Sequence, residues 1–145
     1  MKITLAQIAD AKELAELAAS NNYSAHWSPS AFTSELGLPA AKIYKATNTS
    51  TNIIVGFVAF RLSPPQAELT NLVVQKTSLR QGVAAKLLAF AFEDLKANKV
   101  KEITLEVNVN NKPALNLYGK FAFKTVNIRK NFYNKEDAAL MLKQI

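Results

Sequence analysis

The stretch ELTNLVVQKTSLRQGVAAKLL, Glu68 to Leu88, decides the fold. Its first part, Leu69–Val74, is an apolar run of strand length. A polar turn follows, and from Gly82 the apolar residues Val83, Leu87, Leu88, Ala91 and Leu95 return at helical spacing. A strand that passes through a loop into a helix N-terminus is an anion site. The first helical N–H groups lack intrahelical partners, and the helix dipole places about half a positive charge there. Arg80 and Lys86 add charge to the same junction.

Downstream, Asn98 ends the helix and Lys101–Val107 alternates as a strand, with Ile103, Leu105 and Val107 on one side and Thr104 and Glu106 on the other. Asn110-Asn111-Lys112-Pro113 is a helix start, with Asn as cap and Pro in the first turn. That helix carries Ala114, Leu115, Leu117, Tyr118 and Phe121. Phe123–Ile128 and Ala138–Leu142 read as the last two strands, across a polar loop at Asn131–Asp137.

Upstream, residues 67–74 follow a rigid turn at Ser63-Pro64-Pro65. Residues 41–46 and 53–61 read as a hairpin across Thr47–Asn52. Ser28 caps a helix with Pro29 at its first position, running to about Leu36 with Gly37 as its C′ residue. Residues 8–19 form an earlier helix, stopped by Asn21-Asn22, and Lys2–Leu5 is a short strand.

The order is therefore βααβββαβαββ. It predicts an α/β (α+β) fold: one mixed, mostly antiparallel twisted sheet of about seven strands flanked by four helices. The βαβ unit 67–107 requires one parallel neighbour through a right-handed crossover. A chain of 145 residues without repeats or linkers reads as a single domain, 1–145.

Composition narrows the function. With no cysteine there is no thiolate nucleophile, disulfide or cysteine-based metal site, and no metal is expected. The start MKITLAQIADAKEL is charged and amphipathic rather than a signal peptide, and no apolar run approaches the roughly 20 residues of a membrane span. A cytoplasmic protein is the expectation. Residues 1–72 hold five Lys/Arg and five Asp/Glu, whereas 73–145 hold thirteen and six. The whole net charge of +7 thus lies in the half that opens with the anion site. A polyphosphate cofactor, a nucleic acid or an acidic surface would suit it, as would an ordinary basic surface.

Two residues stand where chemistry could be done. Glu106 sits on a strand just before a helix start, either as a general base or as a solvated residue on the polar face of an edge strand. Tyr118 lies within that helix, either as a general acid or as a core aromatic. The sole histidine, His26, reads as packing at the start of its helix. No GxSxG, GxxxxGK[ST] or GxGxxG is present. Tyr118, Phe121, Phe123, Phe132 and Tyr133 alternate with Lys and Arg as a single-strand nucleic-acid binder might, although such spacing also makes core.

Taken together, AELTNLVV, LRQGVAAKLL and ITLEVNVNNKPALNLYGKFAF, spanning residues 67–123, resemble the GCN5-related N-acetyltransferase (GNAT) family. HWS at His26–Ser28 and IRKNFY…EDAALML at Ile128–Leu142 look most like its RimI type, the ribosomal-protein-alanine N-acetyltransferases. The resemblance implies acetyl-CoA as cosubstrate, bound along the backbone of Leu72, Val73 and Val74. The pyrophosphate would lie against Arg80, Gln81, Gly82, Val83, Ala84 and Ala85, with Asn111 holding the cofactor near its helix start. It implies Glu106 as the general base and Tyr118 as the acid that protonates the departing thiolate. The chain departs from the family pattern at several places: Asn108 stands where RimI-type proteins often have Arg, and the polar loop after Phe132-Tyr133 is short. Leu79 fills the first place of [QR]xxGx[GA], and Ala122-Phe123 stands where the family has Gly-Phe. The acceptor implied is a protein N-terminus, that of a ribosomal protein. A small amine or a lysine is the alternative within the family, and a non-catalytic CoA- or nucleic-acid-binding module the alternative outside it.

Overall fold

The computed structural model describes residues 1–21 and 23–145. Its strands are β1 (Lys2–Leu5), β2 (Ala41–Asn48), β3 (Ile53–Ser63), β4 (Gln66–Val74), β5 (Glu102–Asn108), β6 (Lys124–Tyr133) and β7 (Glu136–Gln144). Its helices are α1 (Ala11–Ala19), α2 (Pro29–Leu36), α3 (Val83–Ala97) and α4 (Lys112–Lys120). The strands form one seven-stranded sheet in the order β1-β2-β3-β4-β5-β7-β6. The β4–β5 pair is parallel and all the others are antiparallel. The expected architecture and its single parallel crossover are present.

Inside the sheet, β3 carries the run IVGFVAF, Ile54–Phe60, which is buried on both faces. Val58 and Phe60 join Tyr44, Leu87, Leu88, Leu95, Ile103 and Leu105 in a core beneath α3 and α4. Phe57 and Ala59 turn to the opposite face and pack with Leu14, Ala18 and Phe32 of α1 and α2. Each such large side chain contributes about 1.5–3 kcal/mol on full burial. Gly56 sets how closely α3 can dock. A Cβ there would stand 3.0 Å from Val83 Cγ1, 3.1 Å from the Val73 carbonyl and 3.3 Å from Leu87 Cδ1.

β4 contains a bulge at Thr70. Ala59 pairs with Asn71 but the next residue, Phe60, pairs with Leu69. One extra residue reverses which residues face which side. Ala67 and Leu69 point towards α3 before the bulge, Leu72 and Val74 do so after it, and Val73 joins the α1–α2 core.

Several local expectations need correction. β6 and β7 are longer than read, and the polar loop Asn131–Asp137 shrinks to a turn at Asn134-Lys135, both at positive φ. Almost all of β6 is exposed, so its Lys, Asn and Arg residues gave it a loop's composition. β5 starts at Glu102 rather than Lys101 and runs past Val107 to Asn108, which is buried, donates to Glu136 and accepts from the Asn110 amide at 2.9 Å. Gly37 caps α2 in a right-handed conformation at φ −83°, without the left-handed turn that C′ glycines usually supply. The expected helix stop at Asn21-Asn22 lies partly outside the described residues, since Asn22 is not among them; α1 ends at Ala19, with Ser20 as its cap.

Candidate active site

The site begins where two strands part. The parallel ladder joins Gln66–Leu69 of β4 to Glu102–Leu105 of β5 and stops there. Beyond it β4 remains paired only with β3, and β5 only with β7. Among the described residues the far edge of β4 from Thr70 to Val74 is therefore without a strand partner, and its backbone groups are left to hydrogen-bond something else. Glu106 is the first residue of β5 past the parting, so its side chain enters the opening. β5 is an inner strand, which removes the reading of Glu106 as a solvated edge residue.

A cleft at the parting is lined by Leu72 and Asn71 of β4, Glu106 of β5, Asn111 and Tyr118 of α4, and Tyr133 of β6. The two residues singled out for chemistry thus share one cavity. The Glu106 carboxylate is asymmetric. Oε1 accepts from Arg129 Nη1 at 2.7 Å, whereas Oε2 is buried and has no partner among the described residues. A buried carboxylate oxygen left without a hydrogen-bond donor costs free energy.

Tyr118 is held by the way its helix ends. Asn111 caps the start of α4, its Oδ1 accepting from the Ala114 amide, and Pro113 supports the first turn. At the other end Ala122 turns left-handed, its amide bonding the Gly119 carbonyl, while the Phe123 amide bonds the Tyr118 carbonyl. This is the Schellman pattern, and the rings of Tyr118 and Phe123 provide its apolar contact at 5.6 Å. Burial, with the nearby Tyr133 second, raises the Tyr118 hydroxyl above its ordinary pKa, so it stays protonated through neutral pH. Tyr133 is shifted the same way, by burial first and then by the Glu106 charge. Its hydroxyl donates to the Glu106 backbone carbonyl at 3.3 Å.

A second cleft lies at the N-terminus of α3. Val74, Leu79, Arg80, Gly82, Val83, Ala84 and Ala85 line one side, and Pro113, Asn116, Leu117 and Lys120 of α4 the other. The loop is shaped by left-handed residues, Arg80 at φ +65° and Gly82 at φ +76°. A Cβ at Gly82 would meet nothing within 4 Å, so the glycine is needed for its φ rather than for space. Orphan helix amides, the dipole, Arg80 and Lys120 all favour an anion here.

The residues expected to bind cofactor divide between the two clefts. Val74, Arg80, Gly82, Val83, Ala84 and Ala85 line the α3 cleft; Leu72 and Asn111 line the Glu106–Tyr118 cleft. The side chains of Val73 and Gln81 line neither. Val73 is in the core and Gln81 folds back on the Thr77 carbonyl. Sequence reasoning missed Arg129 and Asn71 and took Tyr133 only as one aromatic in a series. Charge alternating with aromatics in IRKNFY was the available signal, and assigning that stretch partly to a loop concealed it. His26 sits outside the cleft, with Nε2 2.6 Å from the Asn21 carbonyl.

An open, mostly antiparallel sheet that splays at one parallel pair, with a carboxylate and a phenol in the opening and an anion loop at the adjoining helix, defines an acyl-transfer fold. The acetyltransferase (GNAT) family model matches residues 9–123, and the chain belongs to that family. It is 31% identical over 122 residues to the [ribosomal protein bS18]-alanine N-acetyltransferase of Haemophilus ducreyi, covering 81% of this chain and 84% of that protein. A Bacillus subtilis relative is 33% identical over 90 residues, 60% of its own length. The crystal structure of the Escherichia coli ribosomal-protein-S18-alanine N-acetyltransferase superposes with a TM-score of 0.88 at 25% identity, covering 99% of this chain and 93% of that one. Arabidopsis thaliana NAA60, solved in complex with acetyl-CoA, shares the fold at a TM-score of 0.87 and 17% identity, covering 99% of this chain and 98% of that one. Among the described residues no helix is long and apolar enough to cross a membrane.

Proposed function

We propose that residues 1–145 act as a single N-acetyltransferase domain that moves an acetyl group from acetyl-CoA to the N-terminal α-amine of a protein, that of a ribosomal protein beginning with alanine. The observation that carries this reading is the presence of Glu106 and Tyr118 in one cleft where β4 and β5 part. The names of the Haemophilus and Escherichia relatives support the acceptor. A ribosomal acceptor places the reaction in the cytoplasm.

Acetyl-CoA supplies a thioester whose carbonyl carbon is the electrophile. The unpaired edge of β4 at Leu72–Val74 is suited to hydrogen-bond an amide-bearing arm, and the cleft lined by Arg80, Gly82, Val83, Ala84 and Ala85 is suited to a pyrophosphate, to which Gln81 would offer only its backbone. Asn111 keeps its side-chain amide N–H groups available at the helix start, since only Oδ1 is used in capping. In the reaction the amine nitrogen forms the new N–C bond and the C–S bond breaks. The Glu106 carboxylate takes the proton released by the amine, directly or through one water. Tyr118 gives its hydroxyl proton to the sulfur, and solvent resets both groups. Positioned acid–base groups of this kind contribute about 100- to 10,000-fold each. An α-amine, with a pKa of about 7.7–8.0 against about 10.4 for lysine, is neutral far more often near pH 7 and suits a carboxylate base.

Calorimetry with acetyl-CoA, using CoA and ATP as controls, tests the first half. Micromolar or tighter binding of acetyl-CoA with none of ATP is expected; absence of acetyl-CoA binding overturns the reading. A panel of N-terminal-alanine peptides, lysine peptides with blocked N-termini and polyamines tests the acceptor. Turnover confined to polyamines or lysine would reassign it.

A further inference from the structure

We propose that Arg129 is the positioning residue for the proton-accepting carboxylate: by holding Glu106 Oε1 it fixes the side chain in one orientation at the cleft. The inference rests on the reading of Glu106 as the general base. A free carboxylate has two equivalent oxygens and a mobile terminal torsion. Here the two are made unequal. Nη1 of Arg129 lies 2.7 Å from Oε1, while Oε2 is enclosed and unpartnered among the described residues.

The guanidinium is itself braced. Its central carbon stands 4.2 Å from the centre of the Phe132 ring, and the Phe132 and Tyr133 rings meet edge-on at 4.9 Å. Tyr133 then returns to β5, donating to the Glu106 carbonyl. One end of β6 thus grips both the backbone and the side chain of Glu106. The backbone between Arg129 and Tyr133 leaves the regular ladder with β7, and Asn131 within it is left-handed. That departure brings both residues to Glu106 from one strand.

Stability is a poor explanation for the pair. The Arg129 side chain is 50% exposed and that of Glu106 22%, and pairs so open to water contribute little to folding. What the pair controls is orientation, and a mispositioned catalytic group is costly in rate.

The experiment is a double-mutant cycle on kcat with an N-terminal-alanine peptide, using R129A, E106Q and the double variant. Calorimetry with acetyl-CoA accompanies each. R129A should lower kcat about tenfold or more while acetyl-CoA affinity stays within about twofold, and R129K should recover part of the loss. In the E106Q background the same R129A change should cost less than about twofold, because its effect passes through the carboxylate. Unchanged kcat in R129A overturns the inference, as does an equal loss in both backgrounds, the sign of a merely structural role. Wild-type kcat in E106Q would instead overturn the base assignment itself, and the inference with it.

Discussion

The Phe123 amide donates to the Tyr118 carbonyl at 3.0 Å across Ala122, which is left-handed at φ +67°. The turn that fixes the phenol is therefore built on a residue with a Cβ where glycine would be unstrained. The left-handed conformation costs a non-glycine residue roughly 1–2 kcal/mol, partly offset by the greater unfolded-state freedom of glycine. Ala122→Gly should stabilise the protein by about 0.5–1 kcal/mol and raise Tm by about 1–4 °C. Calorimetric melting checks this; a lower Tm would mean that the strain is absent.

Tyr118→Phe should reduce kcat by about 100-fold or more with acetyl-CoA affinity close to wild type. Its hydroxyl is raised by burial, so it remains an acid well into alkaline conditions. The wild-type kcat profile should then rise with pH as the amine loses its proton and show no descending limb from this residue below about pH 10. A descending limb at pH 8–9 would assign the proton donor to another group. An unchanged kcat in the variant would remove Tyr118 from the acid role.

Leu79 is an exposed apolar residue, 54% accessible, on the wall of the anion cleft. Replacing it with arginine adds a cation where a pyrophosphate is expected to lie. Leu79→Arg should tighten acetyl-CoA binding by about threefold to tenfold at low salt, and by less as ionic strength rises. Titrations at two salt concentrations would show it. Equal affinity at both would place the phosphates away from residue 79.

Asp94 of α3 ties that helix to β2, accepting from Lys42 Nζ at 2.8 Å and from the buried Tyr44 hydroxyl at 2.6 Å. Burial alone would raise its carboxyl, but the bonds from Lys42 and Tyr44 outweigh that and hold it below its ordinary value. A carboxyl depressed in the folded state contributes stability that is present above about pH 4 and lost as pH falls through the folded pKa. Tyr44 is raised, by burial first and then by Asp94, so its contribution is intact below about pH 10 and lost as pH rises further. Asp94→Asn should cost about 1 kcal/mol at pH 7 after allowance for solvent screening. Urea melts from pH 7 to pH 3 should show that difference from wild type shrinking. A difference constant across the range would show that the carboxylate charge is not what holds the contact.

Glu68–Leu88 carried the strand-to-helix junction and its anion loop because both are local. Hydrophobic period, a turn, a glycine and a helix start are set by neighbouring residues, and the chain shows them without its tertiary contacts. Caps were legible for the same reason: Ser28, Pro29 and Asn111 do in the structure what such residues do at any helix start. The β6–β7 hairpin was read too short because an exposed edge strand has the composition of a loop.

The sequence by itself determined the element order, the single parallel crossover, and Glu106 and Tyr118 as candidate groups. Tertiary structure alone decided that they share a cleft. It opens where the β4–β5 ladder ends at Leu69 and Leu105, residues 36 positions apart beyond which the two strands stop pairing. Tertiary structure alone also brought Arg129 to Glu106 across 23 positions. Such relations depend on register and strand order, which are fixed by packing over the whole sheet and leave no periodic trace in any one segment.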